Sequence, residues 1–173
     1  MLPQETPFIL LDDAREEGAA PTRLYRDPVE IIVADAPEQL EPALERISAA
    51  REAGLHAAGY LSYEAGLVLE PRLAARLPAD RHGPLLWFGL FRDYQELAPS
   101  AVAQTLPDPA AAWLGKLQPG MARDDYDSAF DRVKDYILAG DIYQANLTFR
   151  ATARFAGHPL ALYAAIRARA KAG

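Results

Sequence analysis

Gly140-Asp141-Ile142-Tyr143-Gln144-Ala145-Asn146-Leu147-Thr148-Phe149-Arg150 is the stretch from which the rest of the chain is read. From Tyr143 onward the odd positions Tyr143, Ala145, Leu147, Phe149, Ala151, Ala153 and Phe155 are apolar. The even positions Gln144, Asn146, Thr148, Arg150, Thr152 and Arg154 are polar. Such alternation predicts a long half-buried strand over 142–155, with one face on a core and the other towards water or a polar cavity. A solvated outer face usually carries mixed charge, with Lys and Glu prominent. This one presents Gln144, Asn146, Thr148 and Arg150, successive members roughly 7 Å apart along one side. Neutral hydrogen-bonding groups beside a forked guanidinium suit a polar anionic small molecule. An ordinary exposed strand face is the other reading of the same pattern.

On the amino-terminal side of this stretch, Tyr126, Phe130, Val133 and Ile137 recur at helical spacing. Asp124 and Asp125 sit at the end where the helix dipole favours acids, and Gly140 is the stop. Asp131 and Lys134 read as surface partners with no function. On the other side, Gly157-His158-Pro159 leads into a helix with Leu160, Tyr163 and Ile166 on one face and Arg167, Arg169 and Lys171 near its end. From Ala98 to Gly120 the chain carries Pro99, Pro107, Pro109 and Pro119 and little periodicity, so it reads as a connector. A short edge segment is expected within 110–114.

The first hundred residues read as strands around one helix. Phe8-Ile9-Leu10-Leu11 is a short buried strand, and a second is expected from Leu24-Tyr25 and the β-branched run Val29–Ala34, the two forming an antiparallel ribbon. Asp35, Pro37 and Glu38 mark a helix start; Leu40, Ala43, Leu44, Ile47 and Ala50 form its apolar face, and Gly54 ends it. His56–Leu61 is a small-residue strand running into a turn, with Tyr60, Ser62 and Glu64 readable either as pocket groups or as packing. Residues 71–84 read as a partly helical surface segment. Leu85–Phe91 is a continuous apolar run, which suits a strand covered on both faces.

Half of the 173 residues are hydrophobic and 24% charged, a globular composition. The net charge of −6, with no dense basic patch, argues against nucleic acid as a partner. There are no cysteines, which excludes disulfides and thiolate metal sites. Met1–Glu5 has no basic or apolar leader character, and no apolar run reaches the length of a membrane span. A cytoplasmic protein without membrane partners is expected.

Gly140-Asp141-Ile142-Tyr143-Gln144-x-Asn146-Leu147-Thr148-x-Arg150, entered from an amphipathic helix, resembles the opening strand of the chorismate-binding domain. Its wording is closest to the component I branch of aminodeoxychorismate synthases (para-aminobenzoate synthase large subunits). Anthranilate synthase component I and the isochorismate and salicylate synthases are relatives. Two further stretches resemble the amino-terminal lobe of the same branch: Phe8–Arg15, and Gly59–Gly66 with Leu69-Glu70-Pro71.

The resemblance implies an α+β protein of mostly antiparallel sheets with peripheral helices, in the anthranilate synthase-like fold. It divides the chain into an amino-terminal lobe at 1–97, a connector at 98–120 and an incomplete first helix–strand–helix of the chorismate-binding domain at 121–173. Chorismate and a glutamine amidotransferase subunit are the implied partners, with Mg²⁺ as cofactor in the complete enzyme. The metal ligands and the catalytic lysine proposed for this branch belong to segments not matched in this chain. The residues carried over are Gln144, Asn146 and Arg150 as substrate-pocket candidates. Leu11, Asp12 and Asp13 lie where anthranilate synthases have a regulatory tryptophan pocket, with Asp13 in place of its serine. A non-catalytic ligand-binding or subunit-docking module is the alternative of a different class.

Overall fold

The computed structural model describes residues 6–172; the start read above for a leader lies outside them. One compact unit comprises the chain up to Leu106 together with the residues from Arg167 on, and Pro107–Ile166 form the other.

The first unit holds two small antiparallel sheets. Strands β1 (Ile9–Leu11) and β2 (Thr22–Tyr25) pair with Ile9 opposite Tyr25. Then β3 (Glu30–Ala34), helix α1 (Pro37–Glu52) and β4 (His56–Leu61) follow. After the short helix α2 (Ala65–Leu69) and a 3-10 turn at Ala74–Arg76 come β5 (Leu86–Phe91), β6 (Gln95–Leu97) and helix α3 (Pro99–Thr105). The sheet orders are β1-β2-β6 and β3-β5-β4. The expected ribbon therefore forms, but with β2 alone. The run Val29–Ala34 leaves for the other sheet because Asp27, at φ 54°, and Pro28 break the strand.

Strand β5 is the centre of the second sheet, and its unbroken apolar run follows from that position. Register places Ile32, Ala34, Leu86 and Leu90 on the face that packs with Leu40, Ala43 and Ile47 of α1. The opposite face carries Ala58 and Phe91, which pack with Tyr25, Ile9 and Tyr94. Gly59 is required where β4 passes β5: a Cβ there would overlap the Trp87 carbonyl and stand 2.6 Å from the Phe88 Cα. Helix α1 starts as expected, but its cap is Gln39. The Gln39 Oε1 accepts from the backbone N–H of Asp35 at 2.8 Å and of Ala36 at 3.0 Å, a task the sequence reading had given to Asp35 and Glu38.

In the second unit a 3-10 turn at Pro109–Ala111 precedes β7 (Ala112–Leu114) and β8 (Gln118–Pro119). Helix α4 (Arg123–Ala139) follows, then β9 (Ala151–Thr152) and β10 (Phe155–Gly157). The last helix, α5 (Pro159–Ala170), leads from this unit back into the first. Residues 98–120, read as a connector, thus contribute α3 and two strands. The predicted edge segment is β7, paired with β10, while β8 pairs with β9. Gly140 ends α4 in the left-handed conformation, φ 80°, which a residue without a Cβ adopts at little cost.

The predicted strand over 142–155 is not formed as one element. Residues 142–150 have no regular ladder, and strand structure is confined to Ala151–Thr152 and Phe155–Gly157. Alternation states which way each side chain would point in a strand. It does not supply the neighbour whose N–H and C=O groups make the strand, and among the described residues no strand runs beside 142–149. The apolar face of α4 is in the same condition: no residue of α4 is buried, and Phe130 and Ile137 are exposed. Among the described residues the rings beside Tyr126 are Phe130 at 6.4 Å and Phe149 at 5.7 Å between centroids. In α5 the buried positions are Ala161 and Ala164, whereas Ile166 of the expected stripe is exposed.

Candidate functional site

Gln144, Asn146 and Arg150 are all exposed. Their side chains make no hydrogen bond or ion pair with the described residues, and Arg150 is engaged through its carbonyl, which accepts from the Gly120 N–H at 2.7 Å. The three carry chemistry suited to an anionic ligand, but this chain does not gather them into a cavity wall by a strand ladder. Tyr60 is exposed at the end of β4, Glu64 is half-buried, and the Ser62 hydroxyl is buried without a hydrogen-bond partner.

The second candidate set is built differently. Leu11 is half exposed, but the two acids after it turn inward. The Asp12 side chain is 2% exposed. It accepts from the Thr22 hydroxyl at 2.9 Å and from Arg167, at 2.6 Å from Nε and 3.2 Å from Nη2. The Arg167 Nη2 also donates to the Pro99 carbonyl at 3.0 Å. Asp13 accepts from the backbone N–H groups of Arg15 and Ala20, and from the Arg15 guanidinium through Nε and Nη2. Hydrogen bonds from the Arg15 side chain, then from the Ala20 backbone, hold its carboxyl well below the usual carboxylate range. The same pairing raises Arg15.

Both carboxylates are thus occupied by groups of the chain itself. Beyond Asp12, Ala14 donates its N–H to the Ala172 carbonyl at 2.8 Å and Lys171 pairs with Glu16, so residues 12–16 and 167–172 are joined along their length. By its position in the sequence Arg167 is one of several cations suited to a helix end. Sequence carried no sign of its partner 155 positions away.

Among the described residues no group of three or more His, Asp or Glu side chains is arranged to hold a metal ion. No described helix is long and apolar enough to cross a membrane.

Comparison with known proteins places this arrangement. The family model described as chorismate binding enzyme matches residues 6–173. The chain belongs to the chorismate-binding enzyme family. Among the described residues, small antiparallel sheets and five α-helices are the α+β class expected, in the anthranilate synthase-like form. It is similar to anthranilate synthase component 1 of Thermus thermophilus, 39% identical over 62 residues, 36% of this chain and 13% of that protein. It is also similar to anthranilate synthase component 1 of Pseudomonas aeruginosa, 47% identical over 45 residues, 26% of this chain and 9% of that protein. The match thus spans 13% or less of the length of these curated relatives. No solved structure matches significantly.

Proposed function

We propose that the chain is the amino-terminal part of an aminodeoxychorismate synthase component I. In this enzyme ammonia, released from glutamine by an amidotransferase partner, replaces the 4-hydroxyl of chorismate, which leaves as water, to form 4-amino-4-deoxychorismate. The observation that carries the ammonia-using chemistry of this reading is Gln144 in Asp141-Ile142-Tyr143-Gln144. The family branches that add water have a lysine at this motif position as the base. A carboxamide takes up no proton at neutral pH, so Gln144 cannot activate water, whereas ammonia is already a nucleophile. Asp13 supports the same branch. It replaces the serine of the tryptophan pocket with a carboxylate already engaged by Arg15 and Ala20, leaving no hydroxyl for an amino-acid effector.

A second reading, anthranilate synthase component I, is favoured by the names of both curated relatives. Product analysis separates the two. The complete protein that carries this chain is to be incubated with chorismate, ammonium and Mg²⁺. Aminodeoxychorismate is the expected product; anthranilate transfers the assignment to the second reading. Isochorismate or salicylate would remove the argument from Gln144. The 173 residues alone are expected to turn over nothing.

A further inference from the structure

Residues 168–172 are all exposed, so past Arg167 the chain lies on the first unit without burying an apolar side chain. The contacts that hold it there are polar. The Arg167 guanidinium donates to Asp12 and to the Pro99 carbonyl, the Ala14 N–H donates to the Ala172 carbonyl at 2.8 Å, and Lys171 pairs with Glu16. A segment docked through few apolar contacts belongs to the low end of local stability and opens before the core does.

Two further features favour opening. Lys171 has φ 47°, in the left-handed region that a residue with a Cβ enters only at a cost and that glycine takes most easily at helix ends. Closing also strips water from Asp12 and Arg167, so opening restores hydration to both charges as it gives up their attraction. The outer pair, Lys171 with Glu16, is 53% and 70% exposed, where ion pairs contribute little and salt screens them.

Residues 12–20 keep their shape without the closed segment. Asp13 accepts from Arg15 and Ala20, partners two and seven positions on, and the Arg15 Nη2 donates to the Gly18 carbonyl at 3.3 Å, so this loop is closed on itself. Asp12 also accepts from the Thr22 hydroxyl, and Thr22 is held in β2 opposite Leu97 of β6. Opening therefore breaks contacts between the two segments and leaves the contacts within 12–22 in place.

We propose that residues 167–172 form a strap that opens and closes on residues 12–16 while both sheets of the first unit stay folded. Closed, it leaves the Asp12 side chain 2% exposed. Open, it lets water reach that carboxylate on a preformed turn. The motion is independent of the reaction proposed above.

Amide hydrogen exchange of the unsubstituted chain separates local from global opening, with Ala14 reporting the strap and β5 reporting the core. The Ala14 amide should exchange more slowly than an unstructured amide, yet about tenfold or more faster than the amides of β5. Low urea should leave its rate unchanged while speeding β5, because an opening that exposes little surface has little denaturant dependence. Added salt should speed Ala14. Glu16→Gln should speed it about one and a half to five times, the size of an exposed ion pair. Arg167→Lys keeps the charge but loses the fork on Asp12, and should speed it about tenfold. Ala14 exchanging in step with β5, exchanging as freely as an unstructured amide, or indifferent to both substitutions overturns the proposal.

Discussion

The Arg167 Nε lies 2.6 Å from Asp12 Oδ2, and the two side chains are 13% and 2% exposed. This joins the last helical turns to the first β-ribbon across 155 positions of sequence. Desolvating two charges is costly, and their attraction offsets that cost only where the remaining hydrogen-bonding groups are also satisfied. Thr22 and the Pro99 carbonyl supply that here.

Removing one partner should therefore be worse than removing both. Arg167→Met takes the guanidinium away from a buried carboxylate and should destabilise by about 3–5 kcal/mol. Asp12→Asn combined with Arg167→Met should recover part of that loss. Urea unfolding midpoints of the single and double variants decide it. A single variant within about 1 kcal/mol of the parent would show the pair to be no more than a surface bridge.

The acid limb of stability should report Asp13. Its folded pKa lies below its unfolded one, so the unfolded chain takes up the proton first as pH falls. The stabilisation is complete well above the ordinary carboxylate pKa of about 3.9 and is lost progressively below it, towards the lower folded value. Asp13→Asn should flatten this part of the curve while also removing stability at neutral pH. Melting temperatures from pH 7 down to about pH 2 test it; an unchanged slope in the variant would assign the acid loss to other groups.

How much was legible in the sequence depends on whether an element contains its own reason for forming. Helix α4 and its Gly140 stop, and α1 with its Gly54 exit, follow from spacing and end chemistry within one segment. Strand β5 follows from an apolar run that only a central position tolerates. Residues 142–150 have the alternation without the partner, and periodicity does not register that difference. Of the candidate site residues, Asp12 and Asp13 were singled out by resemblance, but Arg167 and Thr22 were not, because long-range pairing leaves no local trace. A β-bulge at 115–117, set against 153–154, was invisible for the same reason, as it arises from a register mismatch between two pairs of strands.

Gly59 is a sharp test of the second sheet. An alanine methyl there would overlap the Trp87 carbonyl, a backbone atom that cannot swing aside, and would crowd the Phe88 Cα and ring. Overpacking at such a site typically costs about 1–3 kcal/mol. Gly66→Ala is the matched control, because nothing lies within 4 Å of a Cβ at that position. Equal melting temperatures for the two variants would contradict the close approach of β4 and β5.

Two apolar residues of similar appearance in the sequence should behave oppositely. Leu40 of α1 is 1% exposed and packs with Ile32, Leu86 and Leu90 in the core, so Leu40→Ala should cost about 2–5 kcal/mol. Leu138 of α4 is 83% exposed, and Leu138→Ala should stay within about 0.5 kcal/mol. Chemical denaturation of the chain measures both. A large loss at Leu138 would mean that α4 is covered in solution by something the described residues do not provide.

Gln144→Ala separates folding from chemistry. The side chain is exposed and makes no hydrogen bond with the described residues, so the substitution should shift stability by less than about 0.5 kcal/mol. If Gln144 contacts chorismate in the complete enzyme, the same substitution should lower kcat/KM about tenfold or more, as expected for a lost hydrogen bond to a charged group of about 1.5–3 kcal/mol. The two measurements must be made together. Lost activity with an unchanged melting temperature places Gln144 at the substrate. Activity and stability both unchanged would return the polar stripe of 144–150 to the reading of an ordinary solvated face, and the choice between product branches would then rest on Asp13 alone.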